Sequence, residues 1–499
     1  MQSRRDQVQA HRFAVSRLNS AMQLTDPDAV ETPLGRTSRN LIVGTTLALI
    51  GAIGAFVFGL LVPGGSSSGW KKDGTLVQDS TTGAQFLYLA SALHPMANYA
   101  SARLLEGDKL VASKVSWSSL VGVPRGAAIG IIGAPQELPA AEALSTAPWQ
   151  VCSVRQPTTT GSTAIQTVLQ VATSSDATPL DYSQSLLAVG TDGHQYLLWN
   201  GRRYRLPGNA AVLQALGYGS VTPYQVSGAF LNAIPAGPDL AAPQPAGEGH
   251  AGPSLGGPTR VGQLFVVHSA GAADQFYQLR SDGLAPVTPF TADLIQADPA
   301  TRRLAYRGRT MNATPLDAAT VGSHMSSAAS PTGEFPSSPP GAATLGAGDS
   351  ACIRVAPHGG NPSIGVVVAS SSVITGSVPA VGGTATPACT TVDFIGITPG
   401  RGVLAQALPT AGSQTTLSSY LVTDEGVKYP LTTAEAVQNL GYAAVKVSEI
   451  PDSLLSLLPT GPALDPTVVL TGSVASGAVK GPGPDDCSTT TPGKKGGHA

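Results

Sequence analysis

The stretch LIVGTTLALIGAIGAFVFGLLV, Leu41 to Val62, runs 22 residues without a charge and stops at Pro63. As a helix it spans roughly 33 Å, enough for a hydrocarbon core of about 30 Å. A core helix of a soluble domain would carry a polar stripe, which this one lacks. A cleaved signal would have a shorter apolar run closer to the start and a small-residue cleavage motif after it. The stretch therefore reads as an uncleaved anchor. The first 40 residues hold Arg4, Arg5, Arg12, Arg17, Arg36 and Arg39, whereas Lys71 and Lys72 stand well past the other end. This bias predicts a cytoplasmic N-terminus and an extracytoplasmic remainder. No other stretch is long and apolar enough to span.

Working outward, the segment before the anchor places Val8, Val15, Leu18 and Met22 on one helical face beside Arg4, Arg5, Arg12 and Arg17. A basic amphipathic helix of this kind lies on a membrane surface or docks on a partner. After the anchor, PGGSSSG (Pro63–Gly69) reads as a flexible tether. It contains a G-x-S-x-G string, but a nucleophile elbow needs a strand before it and a helix after it.

The 499 residues suggest about three structural units. Charged residues are 12% of the chain and the net charge is −2, so no basic field for nucleic acid exists. With 58 Gly, 40 Pro and 42% hydrophobic residues, the chain reads as folded but loop-rich.

An internal repeat organises the outer region. Tyr196–Leu240 matches Tyr420–Leu464: Leu216-Gly217-Tyr218 recurs as Leu440-Gly441-Tyr442, and Pro235, Gly237, Pro238 and Leu240 recur as Pro459, Gly461, Pro462 and Leu464. Within the first copy, Leu186–Thr191, His194–Trp199 and Arg202–Leu206 read as three strands joined by Asp192-Gly193 and Asn200-Gly201 turns, whose residues tolerate positive φ. Asn209 would cap a helix ending at Gly217, and a second helix would cover about 223–233. Thr432 or Thr433 would cap the matching helix of the later copy. A weaker pair, Gln85–Leu105 and Gln275–Ile295, shares a strand, turn, Pro and amphipathic helix, with His94 at the start of that helix. Between these units, runs such as Ala127–Ile132 and Ile364–Ala369 read as strands of a central sheet. The Ser/Pro-rich stretch Asn312–Ser350 reads as a disordered loop. The chain from Asp465 reads as a mobile tail with a possible strand at Val468–Leu470.

The predicted fold class is α+β. One transmembrane helix precedes four small α/β repeat modules around a central β-rich domain. The divisions are a cytoplasmic helix (1–40), the membrane helix (41–62), a linker (63–75), module 1 (76–118), the first central-domain segment (119–190), module 2 (191–245), module 3 (260–300), the second central-domain segment (301–415, with the 312–350 insertion), module 4 (416–464) and a tail (465–499).

Chemistry is sparse. The phosphate-binding string G-x-x-x-x-G-K-[ST] does not occur, and the eight His are scattered without metal-ligand spacing. No catalytic, cofactor-binding or metal-binding residue is assigned. Four cysteines, Cys152, Cys352, Cys389 and Cys487, permit three full pairings. A Cys152–Cys352 bridge would tie together two distant stretches of the central region, and a Cys389–Cys487 bridge would reach the tail.

The segments RRDQVQAHRFAVSRLNSAM (Arg4–Met22), LHPMANYASARLL (Leu93–Leu105), VPRGAAIGIIGAPQELP (Val123–Pro139) and PWQVC ending at Cys152, with the paired LGY and P-x-G-P-x-L strings, resemble the EccB family. EccB is the membrane-anchored core component of the actinobacterial type VII (ESX) secretion system. The resemblance runs from about Arg5 to Leu464. It implies an elongated periplasmic region with four repeats around a central domain. It also implies a central-domain disulfide, carried here onto Cys152 and Cys352. The implied role is a structural subunit of the secretion complex, homo-oligomeric and packed against EccC, EccD and EccE in the inner membrane. ATP hydrolysis, attributed to members of the family, is the enzymatic alternative, and peptidoglycan binding by the repeated units is another.

Overall fold

The computed structural model describes residues 4–25, 33–61, 69–157, 163–173, 176–208, 210–269, 271–327, 335–380, 385–408 and 418–470. Two helices lead the chain, Arg4–Leu24 and Pro33–Leu61. The second begins before the apolar run because its Arg- and Ser-containing first turns continue the same helix. Thr45 and Thr46 donate their hydroxyls to the carbonyls of Leu41 and Ile42, which hides their polarity inside the helix. Among the described residues one helix is long and apolar enough to cross a membrane, its apolar window being Ser38–Ala55, and none of that window is buried against the rest of the chain. The predicted tether at 63–68 lies outside the described residues.

Beyond it, the described residues build five sheets. Four are small and share one strand order, third-second-first-fourth. The first is built from Thr75–Asp79, Gln85–Leu89, Ala92–Pro95 and Val111–Val115. The second is built from Gln184–Val189, Gln195–Trp199, Arg202–Arg205 and Tyr224–Gln225. The third is built from Leu264–Val267, Gln275–Arg280, Gly283–Val287 and Thr314–Pro315. The fourth is built from Val403–Leu408, Ser419–Val422, Lys428–Leu431 and Ser448–Pro451. In each, three strands meander antiparallel, a helix crosses over, and the fourth strand returns parallel to the first. Sequence chemistry explains the hairpins. Asn200 and Gly201 take φ of 46° and 71°, the pair of positive values a two-residue hairpin requires.

The fifth sheet has seven strands in the order Val378–Pro379, Phe394–Gly396, Thr163–Gln170, Trp149–Pro157, Asp349–Ala356, Ser363–Ser370 and Ala177–Pro179. Its strands come from two stretches of the chain about 200 residues apart. One face carries Trp149, Val151, Leu169, Ile353, Val355 and Val366, and both the second and fourth small sheets pack on it. The first sheet then packs on the fourth: Ala100 and Leu104 of helix Tyr99–Glu106 join Ala436 and Leu440, and Asn439 Nδ2 donates to Leu104 O at 2.7 Å. The third packs on the second: Phe290 and Leu294 of helix Pro289–Ala297 join Val212 and Leu216.

Several local expectations are corrected. The 127–132 run is not a strand, since its β-pairing is a single isolated bridge at Ile129, with another just before it at Arg125. Gly126 and Gly130 interrupt any ladder, and each lies where a Cβ would strike His94 or Ala97. His94 lies in the third strand of the first sheet, its Nδ1 3.0 Å from Ala127 O, and Asn98 is the residue that caps the helix. The stretch 312–350 is structured where it is described. Thr314–Pro315 pairs with Phe265 and Val266, Asp317 caps helix Ala318–Ser323, and Gly341–Ala342 pairs with Gln184 and Ser185. Phe335 sits between the rings of Tyr204 and Phe290. Strands of two residues have no periodicity to read, so their partners define them. The second helix of the second sheet is Gly228–Asn232, capped by Ser227, and Tyr224–Gln225 before it is a strand. The expected strand at 468–470 is instead the end of helix Pro466–Val469, since Asp465 caps and Pro466 starts it. Val469 is fully buried, so the chain stays packed to that point. The rest of the predicted tail, with Cys487, lies outside the described residues, as does Asn209. The two central-domain segments also yield strands to the small sheets: Gln184–Val189 to the second and Val403–Leu408 to the fourth.

Candidate functional site

The candidate site is the cross-linked junction where the central sheet receives the second and fourth sheets. Trp149–Pro157 and Asp349–Ala356 are adjacent antiparallel strands, and their register sets Cys152 directly opposite Cys352 with Cα atoms 4.0 Å apart. The two are joined by a disulfide and fully buried on the sheet face away from the junction, among Val154, Val168, Val367 and Ala369. Cys389 is also disulfide-bonded, and among the described residues no cysteine is free.

On the junction face the two sheets present matching anchors. Phe230 of helix Gly228–Asn232 and Leu454 of helix Asp452–Leu455 are both fully buried against the central strands. Each helix ends on a basic side chain from the third strand of its own sheet. Arg203 Nη1 donates to Leu231 O, and Lys428 Nζ donates to Leu455 O at 2.5 Å. The last carbonyls of a helix have no partner within it, so a half-buried cation satisfies them. Lys428 also lies 5.8 Å from the Tyr420 ring centroid. This arrangement has a sequence signal, a basic residue in matching strands, but nothing in the sequence says that it is buried.

Burial pushes the Lys428 ammonium down to about 8, with the Asp452 carboxylate opposing. It also pulls the Arg203 guanidinium down, with Tyr196 opposing. The unfolded chain therefore holds the Lys428 proton more tightly than the folded one, and stability rises with pH from about 8 toward the free-lysine value of 10.5. Burial raises Tyr429 and Tyr442 above 10.0, so the folded chain keeps their protons after the unfolded chain has lost them, and stability falls above pH 10. The expected thermal midpoint climbs between about pH 8 and 10 and then declines. Lys428→Met is expected to abolish the climb, and a scan of midpoint against pH for both chains checks it.

A cleft of about 350 Å³ separates the first and fourth sheets, lined by Asn98, Ile132, Gln136, Glu425, Val427 and Tyr429. Tyr429 OH donates to Glu425 Oε2 at 3.4 Å. These groups include neither a nucleophile with an adjacent base nor a cluster of metal ligands. Among the described residues no group of three His, Cys, Asp or Glu could hold a metal. His194 lies beside Arg205, His268 on Asp274 and His324 on Thr320 O, and no two of these His meet. The leading helix Arg4–Leu24 leaves Val8, Phe13, Leu18 and Met22 more than half exposed, and Arg17 covers the Phe13 ring at 5.3 Å.

The family model described as Type VII secretion system ESX-1, transport TM domain B, matches residues 1–475. The chain is 30% identical over 490 residues to the protein named ESX-3 secretion system ATPase EccB3 of Mycolicibacterium smegmatis, covering 92% of this chain and 89% of that one. Its structure resembles the EccB3 dimer from the ESX-3 core complex, with a TM-score of 0.63 and 27% identity over 79% of this chain and 99% of that chain. It shares its fold with a chain of an intact ESX-5 inner membrane complex, with a TM-score of 0.64 and 22% identity over 94% of this chain and 95% of that one. An exposed apolar helix ahead of four like-ordered small sheets and one central sheet, in a chain matched over nearly its whole length, places this protein in the EccB family of type VII secretion.

Proposed function

We propose that the chain is a structural subunit of a type VII (ESX) secretion membrane complex, anchoring and scaffolding the periplasmic side of the translocation pore. The carrying observation is an apolar helix with no cover from its own chain, joined to a large sheet-built body in a member of this family. Six Arg before the anchor support a cytoplasmic N-terminus and a periplasmic body. The small sheets act as four copies of one module. Their common strand order and crossover helix support this, as do the matched pairs Phe230 and Leu454, Arg203 and Lys428, and Gly237 and Gly461. The two glycines are the positions where a Cβ would strike Tyr204 or Tyr429. The central disulfide holds the two halves of the interrupted domain together. EccC, EccD and EccE are the partners of the anchor and of the basic helix, and energy for translocation enters through EccC.

Tagged full-length chain extracted from membranes is expected to bring down EccC, EccD and EccE, and recovery of a lone monomer would sink the reading. A phosphatase reporter placed after Leu464 is expected to be active outside the cytoplasm, and cytoplasmic placement reverses the orientation. The name of the Mycolicibacterium smegmatis relative supports a second reading, ATP hydrolysis. Phosphate release by the full chain in detergent, compared with a mock preparation, decides it.

A further inference from the structure

We propose that strand Val111–Val115, the open edge of the first small sheet, pairs antiparallel with the same strand of a second copy, joining two four-stranded sheets into one. The inference rests on the self-association of the scaffold reading and names where it occurs.

Exposed strand edges are templates for pairing, and folds normally close them. The third strands of all four small sheets are flanked by later chain, at Arg125, Ala236, Met325 and Thr460. The fourth strands of the second and fourth sheets lie against the central sheet, where Tyr224 and Ile450 are buried. That of the third sheet has two residues and ends in Pro315. Both edges of the central sheet are short and also end in proline, Pro179 and Pro379. Val111–Val115 has five residues, no proline and a mostly exposed surface. Its inner side pairs with Thr75–Asp79, and among the described residues no strand covers its outer side.

The geometry specifies how a copy would add. Val115 O accepts from Ser80 N on the inner side. In a parallel ladder alternate residues turn both backbone groups to the same neighbour, so Val111, Ser113 and Val115 face inward. Ala112 and Lys114 then direct N–H and C=O outward. The sequence Val-Ala-Ser-Lys-Val is nearly a palindrome. Antiparallel pairing about Ser113 sets Ala112 against Lys114 of the copy, where the outward groups exchange four hydrogen bonds across the two-fold. It sets Val111 against Val115 of the copy and brings no like charges face to face. Val111 is 58% exposed, and Trp117 and Val121, just past the strand, are 46% and 68% exposed, so an apolar surface flanks the edge.

The experiment uses the full-length chain in detergent, with self-association read by sedimentation. Ala112→Pro removes an outward N–H and leaves the inward ladder intact, so the fold, checked by its thermal midpoint, is unchanged. Self-association is expected to weaken by about tenfold or more. Ser113→Cys sits at the two-fold in a non-hydrogen-bonded pair, where Cα atoms are about 4.5 Å apart, and mild oxidation is expected to give a covalent dimer on a non-reducing gel. Dimers unaffected by Ala112→Pro, or Ser113→Cys failing to link to its copy, would overturn the edge and leave self-association standing. A wild-type chain that stays monomeric would overturn both.

Discussion

Replacing both Cys152 and Cys352 with Ala lowers the stability of the body by about 2–5 kcal/mol, read as a drop of several degrees in the thermal midpoint. The bridge closes a loop with a sequence separation of 200, and loop-closure entropy grows with length. It also joins the two central strands on which the rest depends: Trp149–Pro157 and Asp349–Ala356 lie side by side in the middle of the seven-stranded sheet. Without the bond, the unfolded chain regains the freedom of the intervening second and third sheets. Both side chains are fully buried, so Ala also leaves small cavities, which add to the loss. A double variant with an unchanged midpoint would remove the disulfide from any structural role.

The second large effect lies on the opposite face of that sheet. Phe230→Ala is expected to cost about 3–5 kcal/mol, and Leu454→Ala about 2–5 kcal/mol. Each side chain is fully buried where a short helix meets the central strands. Helices of four or five residues have no stability of their own, so these anchors hold them in place. Both side chains belong to the one core cluster that includes Trp149, Val151, Ile353 and Val355, so the double variant is expected to depart from the sum of the singles. Denaturant titration of the single and double variants measures both quantities. Loss below about 1 kcal/mol in either single variant would mean that the anchor is not what holds its sheet.

Loss of these anchors also bears on the outer sheets. Among the described residues the first sheet packs on the fourth, through Leu104 and Asn439, and the third on the second, through Phe290. Variants at Leu454 and Phe230 are therefore expected to loosen the first and third sheets as well. Proteolysis of the linking segments offers a direct readout.

Much of this is legible from neighbouring residues. Asn200-Gly201 marks its hairpin because two consecutive positive φ values select such residues. The match between Tyr196–Leu240 and Tyr420–Leu464 identifies corresponding elements, since equal local chemistry builds equal local structure. Other features are hidden for physical reasons. The stretch from 312 to 350 has the composition of a loop, and pairing with strands far away in the chain is what makes Thr314–Pro315 and Gly341–Ala342 strands. The apolar run 127–132 reads as a strand, but the hydrogen bonds around it are scattered along Ala92–Pro95 and the start of the following helix. The burial of Lys428 depends on a helix 24 residues later folding back over it.

The residues alone determined the apolar anchor, the charge bias around it, the hairpin turns and the recurrence of one unit, because each depends on side chains close in sequence. Only the tertiary structure decided which cysteines meet, which sheets share a core and which strand edge is left open. Those outcomes depend on the register between strands some 200 residues apart, and no local pattern of apolar and polar residues encodes that register.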